Sequence, residues 1–251
     1  MTAKSFRSRL IGREVLIGPM ITLSSPEVIE LLAGVGFDWL FIDTEHTPIE
    51  PPQIRAILQA AGSTPCLIRL ASSEPTPIAK ALDLGAAGII VPQVNSAEQA
   101  KQIVASAKYS PVGRRGRGLG RAHHYGLKLA EYSATANDSV AVVVQAEHLD
   151  AVKNIESIAR VEGLDSIFVG PYDLASSMGH PGDVTHPEVR DAIERVLDVC
   201  LGRGLACGIL GLTAKENQAY IERGFSLIVV GIDVLLLGDA AKTLLGAVRS
   251  K

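Results

Sequence analysis

Val140-Ala-Val-Val-Val-Gln145 is the most β-branched stretch of the chain, and Ala146-Glu147-His148 follows it at once. A short, nearly continuous apolar run of this kind fits a strand buried on both faces, as in a parallel sheet covered by helices. Seven further runs share its character: Val15 to Thr22, Trp39 to Asp43, Cys66 to Leu70, Gly88 to Pro92, Ser166 to Gly170, Leu205 to Leu210 and Leu227 to Gly231. Amphipathic segments with helix-start signals lie between them. Pro26 after Ser25, Pro51 with Pro52, Ser96, Pro187 and Thr213 open such segments, and Gly34, Gly62, Gly85, Gly163, Gly204 and Gly224 close them. Strict strand–helix alternation over 251 residues predicts one (β/α)8 barrel domain spanning residues 1–251.

Bulk properties agree. The chain is 47% hydrophobic and only 4% aromatic, so Leu, Ile, Val and Ala must build the core. A formal charge of -3 supplies no basic field for nucleic acid or an anionic membrane. No apolar stretch reaches the ~18 residues of a membrane span. The charged start, Met1 to Arg7, does not read as a signal peptide. Cys66, Cys200 and Cys207 form no disulfide framework or zinc spacing, which suits buried thiols in a reducing cytoplasm. Tyr109 to Asn137 reads as one unusually long connection, and its Arg114, Arg115, Arg117 and Arg121 suggest a solvated or subunit-contacting arm. No aromatic series accompanies these arginines, so nucleic acid is not the expected partner.

A barrel places its chemistry where strands end. The runs end in Asp43-Thr44-Glu45-His46, Arg69, Gln93, Gln145-Ala146-Glu147-His148 and Gly170-Pro171-Tyr172-Asp173. Singly, each has an ordinary explanation. Arg69 could be a structural ion-pair partner, Glu147 or Asp173 a helix cap, and His46 a surface histidine. Together they gather acids, an arginine and histidines on one rim. Two carboxylates from adjacent strands suit a hard divalent cation, and a cation with a buried arginine suits a developing enolate.

Phe37-Asp-Trp-Leu-Phe-Ile-Asp-Thr-Glu-His46, Leu67-Ile-Arg69, Leu82 to Pro92, Gly113-Arg-Arg-Gly116 and Gly170-Pro-Tyr-Asp-Leu-Ala-Ser-Ser-Met-Gly179 occur in this order. Over about residues 15–248 the chain resembles the HpcH/HpaI aldolase family of pyruvate-dependent class II enzymes. The resemblance implies a barrel of the phosphoenolpyruvate/pyruvate-binding type and reversible retro-aldol cleavage of a 4-hydroxy-2-oxo acid. Decarboxylation of an oxaloacetate-type diacid through the same enolate is the alternative. It implies Glu147 and Asp173 as ligands of Mg2+, Mn2+ or Co2+, and Gln145, Gly170, Pro171, Tyr172, Asp173 and Leu210 as substrate contacts. It further implies His46 as base, Arg69 as enolate stabiliser and Asp83 as the carboxylate that raises the basicity of His46. Partners would be small 2-oxo acids and aldehydes. The assembly would be a hexamer or trimer with exchanged C-terminal helices.

This sequence departs from the family pattern in two places, Ala146-Glu147-His148 for a common Ile-Glu-Thr, and Tyr172 for a small residue. Both bear on substrate choice. His148 is expected to begin a helix. Asp83 precedes the fourth strand while His46 follows the second, so within one subunit roughly 15 Å of strand separates them. Asp83 is therefore expected either to reach His46 of a neighbouring subunit, as the family's oligomers would allow, or only to cap its helix or hold the Gly85 turn.

Overall fold

The computed structural model describes residues 4–249. Met1 to Ala3 of the stretch read for a leader, and Ser250 and Lys251 at the end of the expected domain, lie outside the described residues. Eight parallel strands pair in sequence order and close on themselves, β8 returning to β1. They are β1 Leu16–Ile21, β2 Leu40–Asp43, β3 Cys66–Arg69, β4 Gly88–Val91, β5 Ala141–Ala146, β6 Ser166–Val169, β7 Ala206–Gly211 and β8 Leu227–Ile232. Each coincides with an expected run to within a residue or two, because full burial on both faces makes such strands continuous apolar words.

The helices are α1 Phe6–Ile11, α2 Pro26–Val35, α3 Pro51–Ala60, α4 Pro75–Asp83, α5 Ala97–Ala107, α6 Leu129–Ser139, α7 Leu149–Lys153, α8 Ile155–Ile158, α9 Pro171–Ser177, α10 Pro187–Gly202, α11 Ala214–Arg223 and α12 Asp233–Arg249. Ser96 accepts from Gln99 N–H, and Thr213 forms a reciprocal box with Glu216, as their positions suggested. Gly34 does not end its helix. α2 runs through it to Gly36, whose φ of 98° supplies the left-handed cap.

The connection from Tyr109 to Asn137 is not one long loop. It folds into a 3-10 turn at Arg121–Gly126 and then α6. Nor is its arginine run simply solvated: Arg115 is buried, and Arg121 donates to the carbonyls of Leu84 and Leu58. The weak amphipathicity of α6, which buries only Ala136, explains why periodicity missed it.

Two apolar layers result. One fills the space between strands and helices. The other fills the barrel, where Leu16, Met20, Leu67, Ile90, Val143 and Val229 pack around aromatic rings. Those rings form a column. Phe6 of α1 meets Trp39 at 6.1 Å, Trp39 meets Phe41 at 6.0 Å, and Phe41 meets Phe168 at 5.7 Å. The Arg69 guanidinium lies over Phe41, 5.3 Å from its centroid. The column therefore seals the floor and carries the first charged group of the mouth.

Candidate active site

The last register pair of β2 and β3 is Asp43 beside Arg69. Arg69 donates through Nε at 2.9 Å and pairs through Nη2 at 2.8 Å with the two Asp43 oxygens, a fork-on-carboxylate geometry. Its Nη1 lies 3.3 Å from Glu45 Oε2. With its side chain only 8% exposed, Arg69 is held in place by neighbours that precede it in the fold.

Glu147 follows β5 and is 1% exposed. Its Oε1 accepts from Gln93 N–H at 2.8 Å, and its Oε2 accepts from Gln145 Nε2 at 2.6 Å. Gln93 takes a φ of 55° to aim that N–H, a left-handed conformation that costs a non-glycine residue on the order of 1 kcal/mol. Gly170 completes the cradle. A Cβ there would sit 2.6 Å from Glu147 Oε2 and 2.9 Å from its Cβ, so a side chain at 170 would displace the carboxylate.

Burial pushes the Glu147 carboxyl up to about 7; the negative charges of Glu45 and Asp173 add to this, while the Gln93 bond and Arg69 oppose it. Burial also raises Glu45, whose neighbours include the charges of Asp43 and Asp173. Asp173, in the exposed first turn of α9, thus shares one electrostatic neighbourhood with Glu45 and Glu147. Asp43 already engages Arg69, so the remaining three acids outnumber the local cation. Oxygen donors in excess negative charge fit a hard divalent ion. Glu45 Oε2 and Gln145 Oε1 are buried without a hydrogen-bond partner, although Glu45 Oε2 lies within ion-pair reach of Arg69.

The other expected site residues divide. The His46 ring is 64% exposed at the rim, 3.6 Å from Glu45 Oε2. Pro171 is buried and Tyr172 exposed at the start of α9. Leu210 lies on β7, half-buried against the barrel interior. Gln145 donates through Nε2 to Glu147 and keeps its Oε1 without a hydrogen-bond partner. His148 opens α7, its Nδ1 accepting from Asp150 N–H at 3.1 Å. Asp83 stands apart: it ends α4 at the opposite end of the barrel and pairs with Arg115 at 2.6 Å.

Three contributors had been given no role. Asp43 and Glu45 were visible as strand-end acids, and only the cross-strand register assigns them to Arg69. The Gln93 contribution is made by backbone, which leaves no compositional mark. His180, His186 and Glu188, between α9 and the first turn of α10, form a further group. One donor atom from each lies within 4.8 Å of the others, so the group is able to coordinate a divalent metal ion. The two imidazoles stack at 3.5 Å, and His180 Nε2 is 3.0 Å from Glu188 Oε2.

A closed parallel barrel whose strand ends converge on acids and one pinned arginine defines a small-molecule enzyme whose mouth can stabilise developing negative charge. The chain belongs to the HpcH/HpaI aldolase/citrate lyase family, whose model matches residues 17–240, and is accordingly a carbon–carbon lyase. It is similar to the hydroxypyruvate/pyruvate aldolase of Chromohalobacter salexigens, with 44% identity over 84% of this chain and 85% of that protein. It is also similar to the 4-hydroxy-2-oxo-heptane-1,7-dioate aldolase of Escherichia coli, at 39% over 96% of this chain and 93% of that one. Among solved structures, an HpcH/HpaI family protein from Burkholderia cenocepacia superimposes with a TM-score of 0.94 at 37% identity, covering 97% of this chain and 98% of that one.

Proposed function

We propose that this enzyme catalyses the reversible retro-aldol cleavage of a 4-hydroxy-2-oxo acid to pyruvate, or a close analogue, and an aldehyde. The observation that carries the reading is the gathering of Glu45 and Glu147 by one pinned guanidinium at the barrel mouth, with Asp173 in the electrostatic neighbourhood of both acids. The similarity to a hydroxypyruvate/pyruvate aldolase and to a 4-hydroxy-2-oxo-heptane-1,7-dioate aldolase supports it.

A divalent cation held by Glu147 and Asp173 would supply Lewis-acid polarisation of the 2-oxo group and neutralise charge. Arg69, fixed by Asp43, donates to the enolate oxygen as the C3–C4 bond breaks. His46, at the open rim, accepts the proton of the 4-hydroxyl, directly or through water. The chain segment from Gly170 to Asp173 receives the substrate carboxylate, and Leu210 and Tyr172 bound the aldehyde side.

Asp83 belongs to the same proposal as a group donated across a subunit boundary to His46 of the partner subunit. α12 supports an assembly of exchanged helices, hexameric or trimeric. It packs chiefly against β1 and β8 and leaves Leu237, Leu244, Leu245 and Val248 at 50–75% exposure. An apolar helix face of that size calls for a partner. Three free buried thiols suit a reducing cytoplasm, and no helix among the described residues is long and apolar enough to cross a membrane.

The test is a panel of aldehydes with pyruvate or hydroxypyruvate and Mg2+, Mn2+ or Co2+, with oxaloacetate decarboxylation run alongside. Aldol turnover that EDTA abolishes and added metal restores is expected. Full activity in the stripped enzyme, or decarboxylation with no aldol activity, would overturn the reading.

A further inference from the structure

Asp83 does not stand alone at its end of the barrel. The loop from Tyr109 to Gly120 wraps over it, with Gly120 so close that a Cβ there would lie 2.6 Å from the Asp83 carbonyl oxygen. Arg115 comes from that loop, and its side chain is 0% exposed. Its Nη2 donates to Asp83 Oδ1 at 2.6 Å and its Nη1 to Tyr132 Oη at 3.3 Å. The guanidinium lies 4.6 Å from the Tyr109 ring centroid and 5.9 Å from that of Tyr132. Its backbone N–H is tied to the Lys108 carbonyl. Asp83 itself keeps 31% exposure and opens onto a hollow of about 330 Å³ rimmed by Lys80, Ser106 and Arg114.

A buried guanidinium gripped on two ring faces, bonded to one carboxylate oxygen and leaving the carboxylate half open, is a fixed mount. A surface ion pair between two mobile side chains would do no such thing. We infer that Arg115 is a positioning residue for catalysis: it sets the direction in which Asp83 presents its free oxygen to His46 of the partner subunit. The inference rests on the proposed role of Asp83. The fork geometry matters as much as the charge, since a lysine could supply the charge but not the planar, ring-stacked anchor.

The test is a double-mutant cycle on the assembled holoenzyme, using the best aldehyde of the panel. Arg115→Gln should lower kcat on the order of tenfold to a hundredfold while KM for the 2-oxo acid stays within about twofold, as expected for a misplaced group that does not bind substrate. Asp83→Asn should lower kcat at least as far, and Arg115→Gln combined with Asp83→Asn should be no slower than Asp83→Asn alone. Arg115→Lys should restore only part of the loss. It also serves as the folded variant should Arg115→Gln fail to assemble, judged by sedimentation. Multiplying losses in the double variant, full activity in Arg115→Lys, or a rise in KM at unchanged kcat would overturn the inference. Wild-type kcat in Asp83→Asn would sink the proposed role of Asp83 itself, whereas wild-type kcat in Arg115→Gln alone would sink only the mount.

Discussion

The two ends of the barrel treat charge in opposite ways. At the floor, Arg7 meets Asp165 at 2.8 Å, Arg9 meets Asp38 at 2.7 Å, and the buried Lys108 ammonium donates to the carbonyls of Asn137 and Val140. At the mouth, Glu147 has only an amide and a backbone N–H for company, and Glu45 Oε2 and Gln145 Oε1 go without hydrogen bonds. Folding alone favours the first arrangement, because a buried polar group without a partner costs on the order of 1–3 kcal/mol. An end that keeps excess carboxylate is being held ready for something it binds. The difference is one of charge, since the floor too leaves buried atoms unpartnered, among them Ser166 Oγ, Ser226 Oγ and Arg115 Nε.

The largest effect that should separate the ends is Glu147→Ala. It is expected to abolish metal-dependent turnover, a loss of more than about a thousandfold in kcat/KM, while leaving the fold intact by circular dichroism. Residual metal-dependent activity near wild type would remove Glu147 from the metal site. Arg69→Ala comes next, with a rise of about 2–4 kcal/mol in the barrier if it acts as an oxyanion donor. Steady-state kinetics should show the loss mainly in kcat, and a change confined to KM would argue for ground-state binding instead.

A pH experiment probes the mouth without mutation. The Glu147 carboxyl is held up to about 7 by burial, above its ordinary value, so the folded chain keeps a proton that the unfolded chain has released. The metal-free enzyme should therefore lose stability as pH rises from about 4.5 to 7, by about 3 kcal/mol at the upper end. Saturating Mn2+ should flatten that slope, and its affinity should weaken as pH falls below about 7. A Tm of the metal-free enzyme that rises across the same window would contradict the assigned burial.

The smallest effect belongs to the floor. Burial lowers Lys108 to about 8, so its neutral form is favoured in the fold and stability should rise as pH climbs from about 8 towards 10.5. Lys108→Met removes that slope. It orphans two carbonyls but also removes a buried charge, so the net change near neutral pH should stay within about 2 kcal/mol. kcat should fall far less than in Arg115→Gln, and an equal drop would make the Lys108 side chain part of the Asp83 mount.

Much of this architecture was legible from the chain. The eight buried strands announced themselves as short Val- and Ile-rich runs, and the polar residues just beyond them marked the mouth. What could not be read was anything made by pairing across strands or by backbone alone. The fork of Arg69 on Asp43 needed the β2–β3 register, the Gln93 N–H needed a left-handed turn, and the empty side of Gly170 needed Glu147 beside it. α6 escaped because its apolar stripe is thin, and the burial of Arg115 because the loop around it looks like any solvated basic run.

Local pattern therefore determined the strands, their order and which acids and arginine share a rim, since periodicity and burial are properties of the segment itself. Tertiary structure alone decided that Glu147 sits in a dry cradle, that Asp43 rather than a substrate pins Arg69, and that Asp83 faces away from its own mouth on a guanidinium mount. Those are matters of which distant residues come within 3 Å of one another, and closure of the barrel, not composition, sets that distance.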